Sequence, residues 1–159
     1  MEKKKQTVAE LKIAGAKASS THWALLFGAA RSPYRAANVL TADPAQTWNA
    51  GRCADVRLTL TLADEGAVVG VRIVPDMRAR LLGTVELLVR GDPNDTILAA
   101  HRSLWADRTP VAVEWVAPRI TRTVTLEFVQ SPAWVALRHV AVLGRRAEEE
   151  EGAGADNNE

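Results

Sequence analysis

The chain of 159 residues holds a single cysteine, Cys53, so no disulfide can form within it. Secreted all-β domains often carry bridges, and the count leans towards a reducing compartment. No apolar run approaches the roughly 20 residues that span a bilayer. The opening Met1-Glu2-Lys3-Lys4-Lys5-Gln6 is followed by no apolar core of leader-peptide length. An intracellular setting, whether cytoplasm, cilium and cytoskeleton, or nucleus, is therefore expected, without a membrane span. The three histidines, His22, His101 and His139, stand in no paired metal spacing with one another or with Cys53. There is no Gly-x-Ser-x-Gly elbow, phosphate loop or dinucleotide fingerprint. Acidic pairs are scarce, and Asp64-Glu65 falls in a turn-like stretch. Cys53 follows Arg52, but a lone cysteine ordinarily serves as a small buried hydrophobe. The expectation is a chain without catalytic residues, metal or cofactor, and so not an enzyme.

Charge of one sign is missing only on the surface of the numbers. The net charge is +1, yet residues 148–159 carry six acids and no base, which leaves 20 bases against 13 acids, or +7, in residues 1–147. Fifteen of those bases are arginine. A basic domain with an acidic tail suits an anionic partner, with the tail as solubiliser or competitor, and suits a solvated surface equally. Residues 1–8 and 147–159 cannot support a core, which leaves residues 9–146 as one domain.

What is abundant is period-2 patterning. Val56, Leu58, Leu60 and Leu62 alternate with Arg57, Thr59, Thr61 and Ala63, the signature of a half-buried strand. Asp64-Glu65-Gly66 reads as a turn into a second strand over 67–74, with Val69, Val71 and Ile73 on one face, and the pair reads as a hairpin. Thr84–Arg90 is a third strand, ended by the turn cluster Gly91-Asp92-Pro93-Asn94-Asp95. Strands over 97–104, 111–117 and 122–129 follow, divided by Asp107–Pro110, Pro118 and Ser131-Pro132, and 134–143 closes the domain. Residues 9–18 suit an opening strand. Ser32-Pro33 before Tyr34–Leu40 is a cap followed by proline, which predicts one short helix. Many short strands at roughly 8–12-residue spacing make an all-β antiparallel sandwich of jelly-roll type.

Three runs in order, Ala18-Ser19-Ser20, Ala37-Asn38-Val39-Leu40 and Asp43-Pro44-Ala45-Gln46-Thr47-Trp48, resemble the opening of galactose-binding-like (discoidin) domains. The closing segments 124–128 and 135–144, and the strand over 68–74, resemble that family too, so the likeness spans roughly residues 9–145. In many extracellular members an aspartate-rich turn and a last-strand glutamate hold calcium. Here those positions read Leu40-Thr41-Ala42-Asp43 and His139, and one carboxylate is a poor calcium site. No calcium is expected. The run Ser19-Ser20-Thr21-His22, Asn38-Val39-Leu40, Ala42-Asp43 and Trp48 resembles an intracellular branch, which includes the amino-terminal domain of the X-ray repair scaffold protein and subunits of ciliary and cytoskeletal complexes. The resemblance implies a non-enzymatic module that docks protein partners within a larger assembly. Two alternatives stand beside it: nucleic-acid binding through the arginine-rich surface, and carbohydrate binding, which needs polar groups converging beside an exposed aromatic.

Phenylalanine and tyrosine are scarce, at two and one, against five tryptophans. Trp48 and Trp115 fall on patterned positions and are expected in the core, while Trp23 and Trp134 flank loops. Tryptophan and arginine dominate contact surfaces. The candidate contacts are Trp23, Phe27, Tyr34 and Arg35 in one irregular segment, Met77, Arg78, Arg80 and Leu81 in another, and Trp134. Arg90-Gly91-Asp92 and the sequon Asn94-Asp95-Thr96 share one polar turn, where turn chemistry explains them.

Overall fold

A computed structural model describes residues 8–41, 43, 45–76 and 83–145. Eight antiparallel strands form an open jelly-roll sandwich: β1 Ala9–Leu11, β2 Ile13–Ala18, β3 Trp48–Asn49, β4 Ala54–Pro75, β5 Gly83–Gly91, β6 Thr96–Trp105, β7 Val111–Gln130 and β8 Ala136–Arg145. The strands pair in the order β1-β8-β4-β7-β5-β6, with β2 on β4 and β3 on β8. None of the helices among the described residues is long and apolar enough to cross a membrane.

Two strands run through both layers. The first half of β4 pairs with β2 and with the second half of β7, and β5 and β6 extend that layer. The second half of β4 pairs with β8 and with the first half of β7. The expected hairpin at Asp64-Glu65-Gly66 is therefore replaced by a corner. The register slips between Thr61 and Gly66, and the chain folds back into the other layer with its two halves paired to β7 and not to each other. A bulge bends a strand where one extra residue is inserted, and the exposed acids Asp64 and Glu65 sit at the bend. A second slip between Val68 and Gly70 turns Val68 inward beside Val71 and Ile73, while Val69 is only half-buried. Pro118 likewise interrupts no strand: β7 bulges across 115–118 and continues.

The core follows the alternation. Val56, Leu58, Leu60 and Leu62 are fully buried in one cluster with Leu87, Leu126 and Phe128 of the same layer and Leu137 and Val142 of the other. Trp48 is fully buried, as expected, and its ring lies 6.4 Å from Phe128. Trp105, which the patterning had not placed, is also core and meets Phe128 edge-on at 5.9 Å. Trp115 is only half-buried, and its indole donates to the Val68 carbonyl at 3.0 Å. Cys53 is exposed and not a core residue, because the chain has yet to enter β4 there. Gly144 of β8 is where a side chain could not fit: a Cβ there would stand 2.5 Å from the Ala67 carbonyl oxygen.

The strands fix two ends. One gathers the start of β4, the end of β7 and the start of β8. The other gathers the β4 corner, the end of β8 and the turn between β5 and β6. At that second end the Arg90-Gly91-Asp92 run is tied inward. The Arg90 guanidinium donates to Glu127 at 2.7 Å and to the Asp95 carbonyl at 3.1 Å, and both Asp92 carboxylate oxygens accept bonds from β7.

Candidate functional site

At the first end, four chain segments are stitched together by backbone hydrogen bonds. The His22 amide donates to Asn49, the Asn49 amide to Tyr34, the Ala50 amide to Val135 and the Val135 amide to Arg52. The hydroxyl of Ser20 donates to the Ala50 carbonyl at 2.6 Å, and the Trp48 indole donates to the Ser20 carbonyl at 3.2 Å. Gly51, at φ +69°, lets its turn pass His22: a Cβ there would stand 3.3 Å from His22 Nδ1.

Ser32 does not cap the expected helix over 34–40. Only a 3₁₀ turn forms, Ala36–Leu40, with no side-chain cap at Arg35. The buried Ser32 hydroxyl instead donates to the His22 carbonyl at 2.6 Å and accepts the Tyr34 amide at 3.1 Å. The competing local bond that serine offers its backbone wins over helix capping. Asn38, also buried, donates to the Pro33 and Thr47 carbonyls, both at 2.8 Å, and fixes the turn against β3.

On this frame the aromatic side chains meet. His22 lies 5.4 Å from Trp23, 5.3 Å from Tyr34 and 4.8 Å from Trp134, ring centre to ring centre. Trp23 is 5.6 Å from Tyr34 and 6.1 Å from Phe27. Trp23 and Trp134 remain 47% and 50% exposed, so half of each indole is available to a ligand. An unexpected single-turn helix, α1 (Ala24–Phe27), projects beside them and buries none of its residues. Leu25 is fully exposed and Leu26 largely so. Trp23 enters that turn at φ +65°, a left-handed conformation costly for a bulky residue and often held where a ligand is clamped. A groove of about 560 Å³ opens here, lined by Ser20, Thr21, His22, Trp23, Leu26 and Gly51 among others.

Of the sequence-expected contacts, Trp23, Phe27, Tyr34, Arg35 and Trp134 are thus brought to one end. Trp134 joins from more than a hundred residues away. Met77, Arg78, Arg80 and Leu81 lie outside the described residues. The flanks of their segment are at the same end: the Asp76 amide donates to the Ala136 carbonyl at 2.9 Å, and Gly83 lies against Pro132. Sequence reasoning missed His22, the hub of the cluster, whose only signal was its place just after the Ser19-Ser20 strand end. It missed Leu25 as well. Among the described residues no three metal-ligating groups cluster, and the Asp43 carboxylate accepts the Ala45 amide of its own turn. His101 and Ser103 touch at 2.7 Å on β6, but no carboxylate bonds to that imidazole among the described residues.

No protein-family model matches the chain, and no curated protein matches it in sequence. Solved structures do match in shape. The family 32 carbohydrate-binding module of AlyQ in complex with 4,5-unsaturated mannuronic acid is 14% identical with a TM-score of 0.68, covering 84% of this chain and 97% of that one. The fold is galactose-binding-like. The family 32 module from C. perfringens NanJ in complex with galactose is similar at 13% identity and a TM-score of 0.65, over 81% of this chain and 92% of its own. A pectin-binding carbohydrate-binding module gives 16% and 0.65, over 83% and 91%.

Proposed function

We propose that the chain is a non-enzymatic carbohydrate-binding module whose ligand lies on the aromatic end of the sandwich. The observation that carries this reading is convergence: the half-exposed indole of Trp23, the His22 imidazole and the hydroxyl-bearing strand end Ser20-Thr21 line one open groove, and the half-exposed indole of Trp134 packs on His22 beside it. A sugar ring presents an apolar C–H face, which packs on the negative face of an aromatic ring, and hydroxyls at its rim, which take hydrogen bonds. A few polar groups placed beside aromatic walls are what a small-ligand site requires. The structurally similar modules, with their galactose, mannuronic acid and pectin ligands, support the same reading.

Affinity electrophoresis of the full chain through gels carrying neutral and acidic polysaccharides tests it. Retardation by at least one polysaccharide, lost in a Trp23→Ala/Trp134→Ala variant, is the expected result. Both rings are half-buried against the cluster, so circular dichroism melts check that the variant folds. Retardation that survives the double substitution overturns the placement of the site.

Protein docking is the second reading, and one specific observation favours it. Leu25 and Leu26 project from α1 at the edge of the groove and stay largely exposed, as an apolar contact surface does.

A further inference from the structure

The arginines of this molecule are not used alike. Arg57, Arg72, Arg90, Arg102, Arg108 and Arg138 each meet a carboxylate. Arg119 and Arg122 donate to backbone carbonyls. Arg145, at the corner end, meets no carboxylate among the described residues, and its Nε is buried without a hydrogen-bond partner. The aromatic end gathers three more such arginines. Arg31, Arg35 and Arg52 have no carboxylate partner among the described residues, and residues 19–53, which build most of that end, contain one acid, Asp43, occupied in its own turn. All three lie on the segments that carry the stitches, beside the residues that line the groove and not among them. Arg31 precedes the buried Ser32, and Arg35 follows Tyr34 and reaches the Ser32 carbonyl at 3.3 Å. The Arg52 carbonyl accepts the amide of Val135, next to Trp134.

We infer that the ligand of this site is an acidic carbohydrate, a chain of uronic-acid or otherwise anionic sugars whose charged groups meet the guanidiniums of Arg31, Arg35 and Arg52, which no carboxylate of the described residues engages, while its rings lie on Trp23 and Trp134. The inference rests on the carbohydrate reading and narrows it to a charge class. A guanidinium matches a carboxylate with two parallel N–H···O bonds, a geometry no neutral hydroxyl reproduces. An excess of one sign at the mouth of a site also gathers counter-charged ligands.

The test compares polysaccharides whose carboxylates are free or esterified. Polygalacturonate and alginate are run against their fully esterified forms, with the full chain, its Arg31→Gln/Arg35→Gln/Arg52→Gln variant and an oligothymidylate control. Circular dichroism melts check that the variant folds. The parent should bind the acidic forms about tenfold more tightly than the esterified ones, the worth of one charge-assisted bond or more, and the triple variant should lose that preference while still binding the esters. Equal binding of acidic and esterified forms, or a triple variant weakened equally on both, overturns the charge inference and leaves the carbohydrate reading standing. No polysaccharide binding by the parent overturns both. Binding to oligothymidylate alone overturns both and points to single-stranded nucleic acid.

Discussion

Asp92 shows how one side chain can settle an end of the molecule. Its Oδ2 accepts the amides of Arg122 at 2.9 Å and Thr123 at 3.1 Å, and its Oδ1 accepts the Thr123 hydroxyl at 2.8 Å. The bond from the Arg122 amide, and then those from Thr123, hold the carboxyl below the usual aspartate range against the opposing effect of burial. A carboxyl that is more acidic folded than unfolded adds stability above its unfolded pKa, about 4, and that stability is lost as pH falls through the folded value. Asp92→Ala should therefore cost about 1–3 kcal/mol near neutral pH, the worth of a part-buried charged network. The gap from the parent should close on acidification below about pH 4. Urea denaturation across pH 2.5–7, taken as an approximate working range, reads this out. A gap that stays constant with pH would mean the carboxylate charge is not what Asp92 contributes. The sequence placed this residue correctly in a turn but had no means of showing that its carboxylate reaches thirty residues on to β7.

At the scale of elements, strands were legible and corners were not. The alternation at Val56–Leu62 names its buried face because side chains on a strand alternate strictly. The layer change inside β4 looks like a turn in sequence, since both a turn and a bulged corner favour Gly and acids at solvent. Only the pairing of β4 with β7 on both sides separates them. The aromatic end was half legible. Trp23, Tyr34 and Trp134 stood out by type and by their loop flanks, whereas the hub role of His22 and the nearness of Trp134 depend on the stitched segments. Ser32 is the test of that stitching. Ser32→Ala leaves the His22 carbonyl and the Tyr34 amide without their partner, and should lower unfolding free energy by about 1–3 kcal/mol. It should also weaken sugar binding, because Tyr34 and His22 lose their fixed positions. Unchanged binding in a destabilised variant would show that the platform does not need this clamp.

For the whole molecule, one face of chemistry sits at one end of a rigid sandwich, a common way for a stable scaffold to present a variable ligand site. The five tryptophans report on both parts at once. Trp48 and Trp105 are core, Trp115 bonds to Val68 at the far end, and Trp23 and Trp134 flank the groove. Each indole N–H gives its own cross-peak in a proton–nitrogen correlation spectrum. The measurement to make is a titration of the labelled full chain with an acidic oligosaccharide, followed at those five peaks after assignment by substitution. The expected result is progressive, saturable shifts at Trp23 and Trp134 with Trp48, Trp105 and Trp115 unmoved. Saturable binding that leaves the Trp23 and Trp134 peaks in place, or moves Trp115 alone, would refute a sugar site at the aromatic end.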